Sequence, residues 1–142
     1  MSISERISEV ESKFQALSNW EERYKLVIDL GKDLEAMPED YKVEQNKVRG
    51  CQSQVWLFAE FKSGQIHFFA DSDASIVKGI IALLLKVFSG ASPSEILQVN
   101  IDFLDTIGLK QHLSMNRANG LASMIKQIKI YALAFSAKEN SL

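Results

Sequence analysis

The chain has 142 residues, 46% of them hydrophobic, and a formal net charge of −2. That size suits one domain over residues 1–142, burying about two-thirds of the surface its unfolded chain would expose. A near-neutral chain with no Lys/Arg-rich run argues against nucleic-acid binding. The longest apolar segment, Ile76–Phe88, is interrupted by Lys78 and Lys86 and is too short to cross a bilayer.

The opening "MSISERISEVESKF" is charged throughout and reads as no secretory signal. Ile3, Ile7, Val10, Phe14 and Leu17 recur at a helical period. A second helix is predicted from "NWEE", where Asn19 caps and Glu22 reaches back to it. Tyr24, Val27, Ile28 and Leu34 form its stripe, and Pro38 marks its end. "PEDYKVEQNKVRG" reads as loop, with a short edge strand near Asn46–Val48.

Residues 54–62 and 65–70 are rich in β-branched and aromatic side chains, and Ser63-Gly64 between them signals a hairpin. Val55, Leu57, Ala59 and Phe61 share one face of the first strand, and Trp56, Phe58 and Glu60 the other. Both faces begin apolar, so the strand is expected to be covered on both sides at its start. Asp73 then caps a helix over about Ala74–Phe88, apolar nearly all round as a central helix would be. Ser92-Pro93 opens a shorter helix. The last helix starts near Ser114 and follows Leu121, Ile125, Ile128, Ala132 and Phe135. The predicted class is α+β, a small antiparallel sheet of about three strands packed against helices.

Charge is unevenly placed. Residues 1–40 carry ten acidic and five basic residues, whereas residues 106–138 carry five basic and no acidic ones. That asymmetry fits a protein partner better than a polyanion. A single cysteine excludes an intrachain disulfide and a multi-cysteine zinc or iron–sulfur site, and a reducing cytoplasm is the expected compartment.

That cysteine, Cys51, sits in "NKVRGCQSQVW". A thiol reacts as thiolate and needs access and positive potential. Gly50 lets the backbone bend, and Arg49 and Lys47 just before it would favour the anion. Free cysteine is also among the most buried residue types, so the residues alone leave Cys51 open between nucleophile and core filler. Arg117 lies in the first turn of the last helix, where the macrodipole disfavours a cation by a few tenths of a kcal/mol, roughly. It reads as a functional cation, or as an arginine lying over apolar surface or paired with Asp71 or Asp73. His112 reads as a loop histidine, and His67 is assigned no role. No histidine pair has metal-binding spacing, and no phosphate-binding glycine loop is present.

Four co-linear motifs carry a resemblance: "NWEERYKLVIDLGKDL", "GCQSQVW", "DSDASIVKGIIALLL" and "LSMNRANGLASMI". Together they resemble the SufE family of sulfur-acceptor proteins from about Phe14 to Ala134. The resemblance implies a SufE/IscU-like fold and a carrier of sulfur that is not itself an enzyme. Its implied partner is a pyridoxal-phosphate cysteine desulfurase, SufS-like or CsdA-like, whose persulfide sulfur passes to Cys51 and which the carrier stimulates. A SufBCD-like iron–sulfur scaffold is the implied recipient. No cofactor or metal is expected on this chain, since the pyridoxal phosphate belongs to the partner. Arg49, Gly50, Gln52, Asp73 and Arg117 are the implied supporting or partner-contact residues, acting in a monomer or weak homodimer. Two other readings stand beside it. A peroxide-reducing thiol enzyme would want a resolving thiol that this chain lacks, and a pure adaptor would use Cys51 only as core.

Overall fold

The computed structural model describes residues 2–51, 53–109 and 113–140. Capping chemistry sets the first two helices. Helix α1, Ile3–Gln15, starts on a reciprocal box in which Ser2 and Glu5 satisfy each other's backbone N–H groups, and it buries Ile3, Val10 and Phe14. Helix α2, Trp20–Lys32, is capped by Asn19, whose Oδ1 accepts from the Glu22 N–H at 2.9 Å. The Glu22 carboxylate does not reach back to Asn19 as expected; it accepts the Ser18 N–H, one residue further out, at 3.2 Å. The helix also ends before Pro38. Its last turn tightens as the Asp33 and Leu34 N–H groups bond to Leu30 and Gly31, three residues back, and the chain then leaves the axis.

Two single 3₁₀ turns, Glu39–Tyr41 and Glu44–Asn46, lead to strands β1, Val55–Lys62, and β2, Gln65–Ser72. The strands pair antiparallel from Val55↔Ser72 to Lys62↔Gln65. Ser63 and Gly64 both take positive φ, 54° and 77°, the hand that a two-residue hairpin turn needs. Among the described residues the sheet has two strands, not about three. The expected edge strand survives only as a bridge, Lys47↔Trp56, with the Val48 N–H donating to the Val55 carbonyl at 2.8 Å. The preceding 3₁₀ turn and the positive φ of Gly50 leave too short an extended stretch for more.

Alternation decides the faces of the hairpin. Val55, Leu57, Ala59, Ile66, Phe68 and Ala70 are buried. Trp56 and Phe58 on the outer face are half-buried, because the 3₁₀ segment folds over them. The Tyr41 ring lies 4.2 Å from that of Phe58, and its hydroxyl donates to Glu60 at 2.8 Å. Lys42 and Lys78 both pair with Asp71, at 2.8 and 3.4 Å, which ties the segment and the next helix to the same strand.

Helix α3, Ser75–Phe88, buries nine of its residues, as its all-round apolar sequence predicts. It lies between α2, the sheet and the C-terminal helices, and α2 meets it backbone to backbone at Gly31 and Gly79. Helix α4, Pro93–Gln98, opens on a Ser92/Glu95 capping box, and the short α5, Phe103–Thr106, buries Phe103 and Leu104. Helix α6, Met115–Asn140, lays Leu121, Met124, Ile125, Ile128 and Ala132 into the same core. Among the described residues the result is an α+β arrangement, a hairpin with six helices around it.

Candidate functional site

The chain enters the site at Gly50, whose φ of +90° lets it turn onto α6. There the backbone comes so close that a Cβ on Gly50 would lie 2.7 Å from the Ser123 Oγ. One residue on, the Cys51 Sγ faces the Gly120 carbonyl at 3.8 Å, and a Cβ on Gly120 would lie 3.2 Å from that sulfur. Gly120 and Ser123 are three apart on one helix and share a face. They form a notch of small residues that seats the cysteine segment.

The segment is closed at both ends. Before it, Val48 bonds to Val55 at 2.8 Å; after it, the Asp73 carboxylate accepts the Gln54 N–H at 3.1 Å, and the Asp73 N–H donates to the Gln54 carbonyl at 3.4 Å. Asp73 therefore does not cap α3. Ala74 takes that position with no side-chain cap, and the Ser72 Oγ accepts the Ala74 N–H instead. The physical reason is competition: the carboxylate finds the free strand-end N–H of Gln54 before it can turn toward the helix.

Cys51 opens into a cavity of about 110 Å³ walled by Val55, Val77, Ile80, Ile81, Leu121 and Met124. That is well above the ~10–15 Å³ one water needs, so an added sulfur atom fits beside the thiol. Burial pushes the thiol pKa up. The expectation that Lys47 and Arg49 favour the anion fails. Lys47 is paired with Glu44 at 3.1 Å, Arg49 is exposed, and neither contributes to the shift. In the seated position burial disfavours the thiolate.

Arg117 stands at the mouth of the same cavity with Asn116. Its backbone N–H donates to the Ser114 Oγ at 3.3 Å, and its side chain is exposed. It pairs with neither Asp71 nor Asp73, and among the described residues its guanidinium makes no ion pair. The structure thus brings Cys51, Gly50 and Arg117 together, anchors the segment through Asp73, and puts Arg49 in the lining of a separate groove. Gln52 and His112 lie outside the described residues. Gly120, Ser123 and Gln54 were not anticipated. A glycine inside a helix costs about 1 kcal/mol against alanine, and that penalty at Gly120 is the one signal that pointed to them.

Two expected outcomes follow from this geometry. Gly120→Ala should leave stability unchanged or slightly raised, since alanine is the better helix former. It should nevertheless crowd the sulfur out of the notch, so that alkylation of Cys51 accelerates several-fold and its pH midpoint falls toward the ordinary thiol value. Iodoacetamide rates measured across pH test this; an unchanged midpoint would show that the notch does not hold the thiol. Asp73→Ala should speed amide exchange at Gln54 and through the cysteine segment while leaving the buried part of α6 protected. Uniform loss of protection would instead mark Asp73 as a residue of global stability.

No helix among the described residues is long and apolar enough to cross a membrane, and among them no group of three His, Cys, Asp or Glu could hold a metal ion. The family described as "SufE: Fe-S metabolism associated domain" matches residues 8–132. An uncharacterized SufE-like protein of Rhizobium meliloti is 44% identical over 128 residues, covering 87% of this chain and 91% of its own length. An uncharacterized SufE-like protein of Synechocystis is 37% identical over 129 residues, covering 91% and 81%. The solution structure of a hypothetical protein from Thermus thermophilus has the same fold, with a TM-score of 0.77 at 21% identity over 91% of this chain and 94% of that one.

Proposed function

The chain belongs to the SufE family of Fe–S metabolism, and from that premise we propose that Cys51 is a sulfur-acceptor thiol. The donor is the active-site persulfide of a cysteine desulfurase of the SufS or CsdA kind, which the carrier also stimulates. The recipient is a SufBCD-like scaffold. In this reading the chain is one cytoplasmic domain that turns over no substrate of its own. The pyridoxal phosphate and the carbon–sulfur chemistry stay with the desulfurase.

One observation carries the proposal: the chain's single thiol sits in a segment closed at both ends, over a largely apolar cavity that Arg117 also lines. A thiolate at Cys51 attacks the outer sulfur of the donor persulfide. The new sulfur–sulfur bond forms as the old one breaks, the donor leaves as its thiolate, and nothing is oxidised or reduced overall. Attack on the inner sulfur would give a mixed disulfide and lose sulfide, so the approach must be oriented.

The raised pKa of the seated thiol gives docking a role. A neutral thiol exchanges slowly, so the segment must leave its notch, or meet a cation, before it can react. Arg117 lines the same cavity with its guanidinium exposed, which supports a role in meeting an acidic surface on the partner, or the anionic sulfur once the segment leaves its notch. After transfer, the cavity shields the terminal sulfur from reductants when the segment reseats. Motion of the segment that carries Cys51 is the conformational step this mechanism needs. Hydrogen exchange there should rise when a desulfurase is added, and exchange that does not change would remove the step.

The reaction itself is tested by intact mass. Incubated with a cysteine desulfurase, pyridoxal phosphate and L-cysteine, the protein should gain one or more sulfur atoms on Cys51. Unmodified protein together with an unstimulated desulfurase would overturn the proposal.

A further inference from the structure

A second depression of about 380 Å³ shares no lining residue with the cavity of Cys51. One wall is the segment itself, with Lys47, Val48 and Arg49; the other is α6, with Ser123, Lys126 and Ile130. Leu57 and Tyr131 also line it, and among the described residues no carboxylate does. Lys47 is engaged by Glu44 at 3.1 Å, but Arg49 and Lys126 make no ion pair among the described residues. Two cations without an ion pair among the described residues therefore line one partly apolar groove from different elements.

The groove does not end at its cations. Lys126, Ile130 and Leu133 follow one another along α6 at helical spacing, and Ile130 and Leu133 are 46% and 61% exposed. Large apolar side chains that continue a charged groove are poor solvent-facing residues and good anchors. Positive charge on both walls, no negative charge between them, and an apolar exit define the occupant by complementarity.

We propose that this groove docks an acidic segment of another protein, its carboxylates meeting Arg49 and Lys126 and an apolar side chain resting on Ile130 and Leu133. A nucleic acid is the poorer fit. The net charge is −2 and ten of the first forty residues are acidic, so a long polyanion would be repelled outside the groove. The site is separate from the cavity of Cys51 and requires no sulfur chemistry, so its test is independent of the sulfur-acceptor reading.

The test uses the full ¹⁵N-labelled chain alone, titrated with a short synthetic peptide of alternating glutamate and leucine. Saturable shifts are expected at Lys47, Arg49, Ser123, Lys126 and Ile130, weakening as salt rises. Lys126→Glu should lower the affinity about tenfold or more, and Ile130→Ser should lower it with the salt dependence retained. Both residues are exposed, and unchanged thermal unfolding of the variants will show that the fold is kept. Four results would overturn the proposal: shifts confined to other faces, equal binding of a lysine–leucine peptide, displacement by an oligothymidylate, or self-association without peptide in sedimentation. The last two would assign the groove to a polyanion or to a second copy of this chain.

Discussion

Replacing Cys51 with serine is expected to abolish sulfur loading completely while leaving the fold as it is. Exchange needs a sulfur nucleophile that can carry a second sulfur, and a hydroxyl cannot do so. Little else depends on the thiol. It is half-buried, and its one polar contact among the described residues is a long one, 3.8 Å to the Gly120 carbonyl. Serine is smaller, and at this half-exposed position its hydroxyl can be hydrated, so the stability change should stay within about 0.5 kcal/mol. Intact mass after incubation with a desulfurase and L-cysteine reads the first effect, and thermal unfolding the second. If the serine variant still supports sulfur transfer, the thiol is packing and the chain is an adaptor. If it fails to fold, Cys51→Ala, which asks nothing of the Gly120 carbonyl, separates structure from chemistry.

Gly79→Ala should have the largest effect on stability of any conservative change in the chain. A Cβ there would fall on the Val27 carbonyl oxygen and 2.6 Å from the Val27 Cγ1. The obstruction is backbone on a neighbouring helix, which cannot swing aside. Gly31, facing it, is constrained less severely: its Cβ would lie 2.9 Å from the Gly79 backbone nitrogen. Separating α2 from α3 to admit a methyl would open the core around Val27, Ile81 and Leu84. Overpacking of this kind costs about 1–3 kcal/mol and occasionally more, against which helix propensity returns only about 1. With the cost at the top of that range, a net loss of about 2 kcal/mol is expected in urea unfolding. Gly120→Ala is the matched control. It makes the same chemical change in another helix, but the near neighbour is a movable thiol. Equal loss in both would mean that backbone contact is not what distinguishes them.

Most secondary structure was legible because its signals are local. Asn19 announces α2, Ser92-Pro93 announces α4, and Ser63-Gly64 announces the hairpin turn, each through the few residues beside it. Strand alternation and the apolar run of α3 likewise named the buried faces. Errors came where a polar group had two possible partners. Asp73 precedes a helix, so local rules make it a cap, yet the Gln54 N–H that it meets is brought there by strand pairing nineteen residues away. Glu22 erred in the same way over a shorter distance.

The site divides along that line. One thiol after a glycine, an arginine in a first helical turn and their shared motifs are properties of the letters, and they single out Cys51 and Arg117 without coordinates. Whether that thiol is neutral or charged is not a property of the letters. Lys47 and Arg49 precede it in the chain but line a different groove, and the apolar walls that raise its pKa come from β1, α3 and α6. The sequence by itself determined which atom is the candidate nucleophile, because nucleophilic character belongs to a residue type. Only the tertiary structure decided how that atom is held, because burial, notch and cavity arise from segments that no local rule connects.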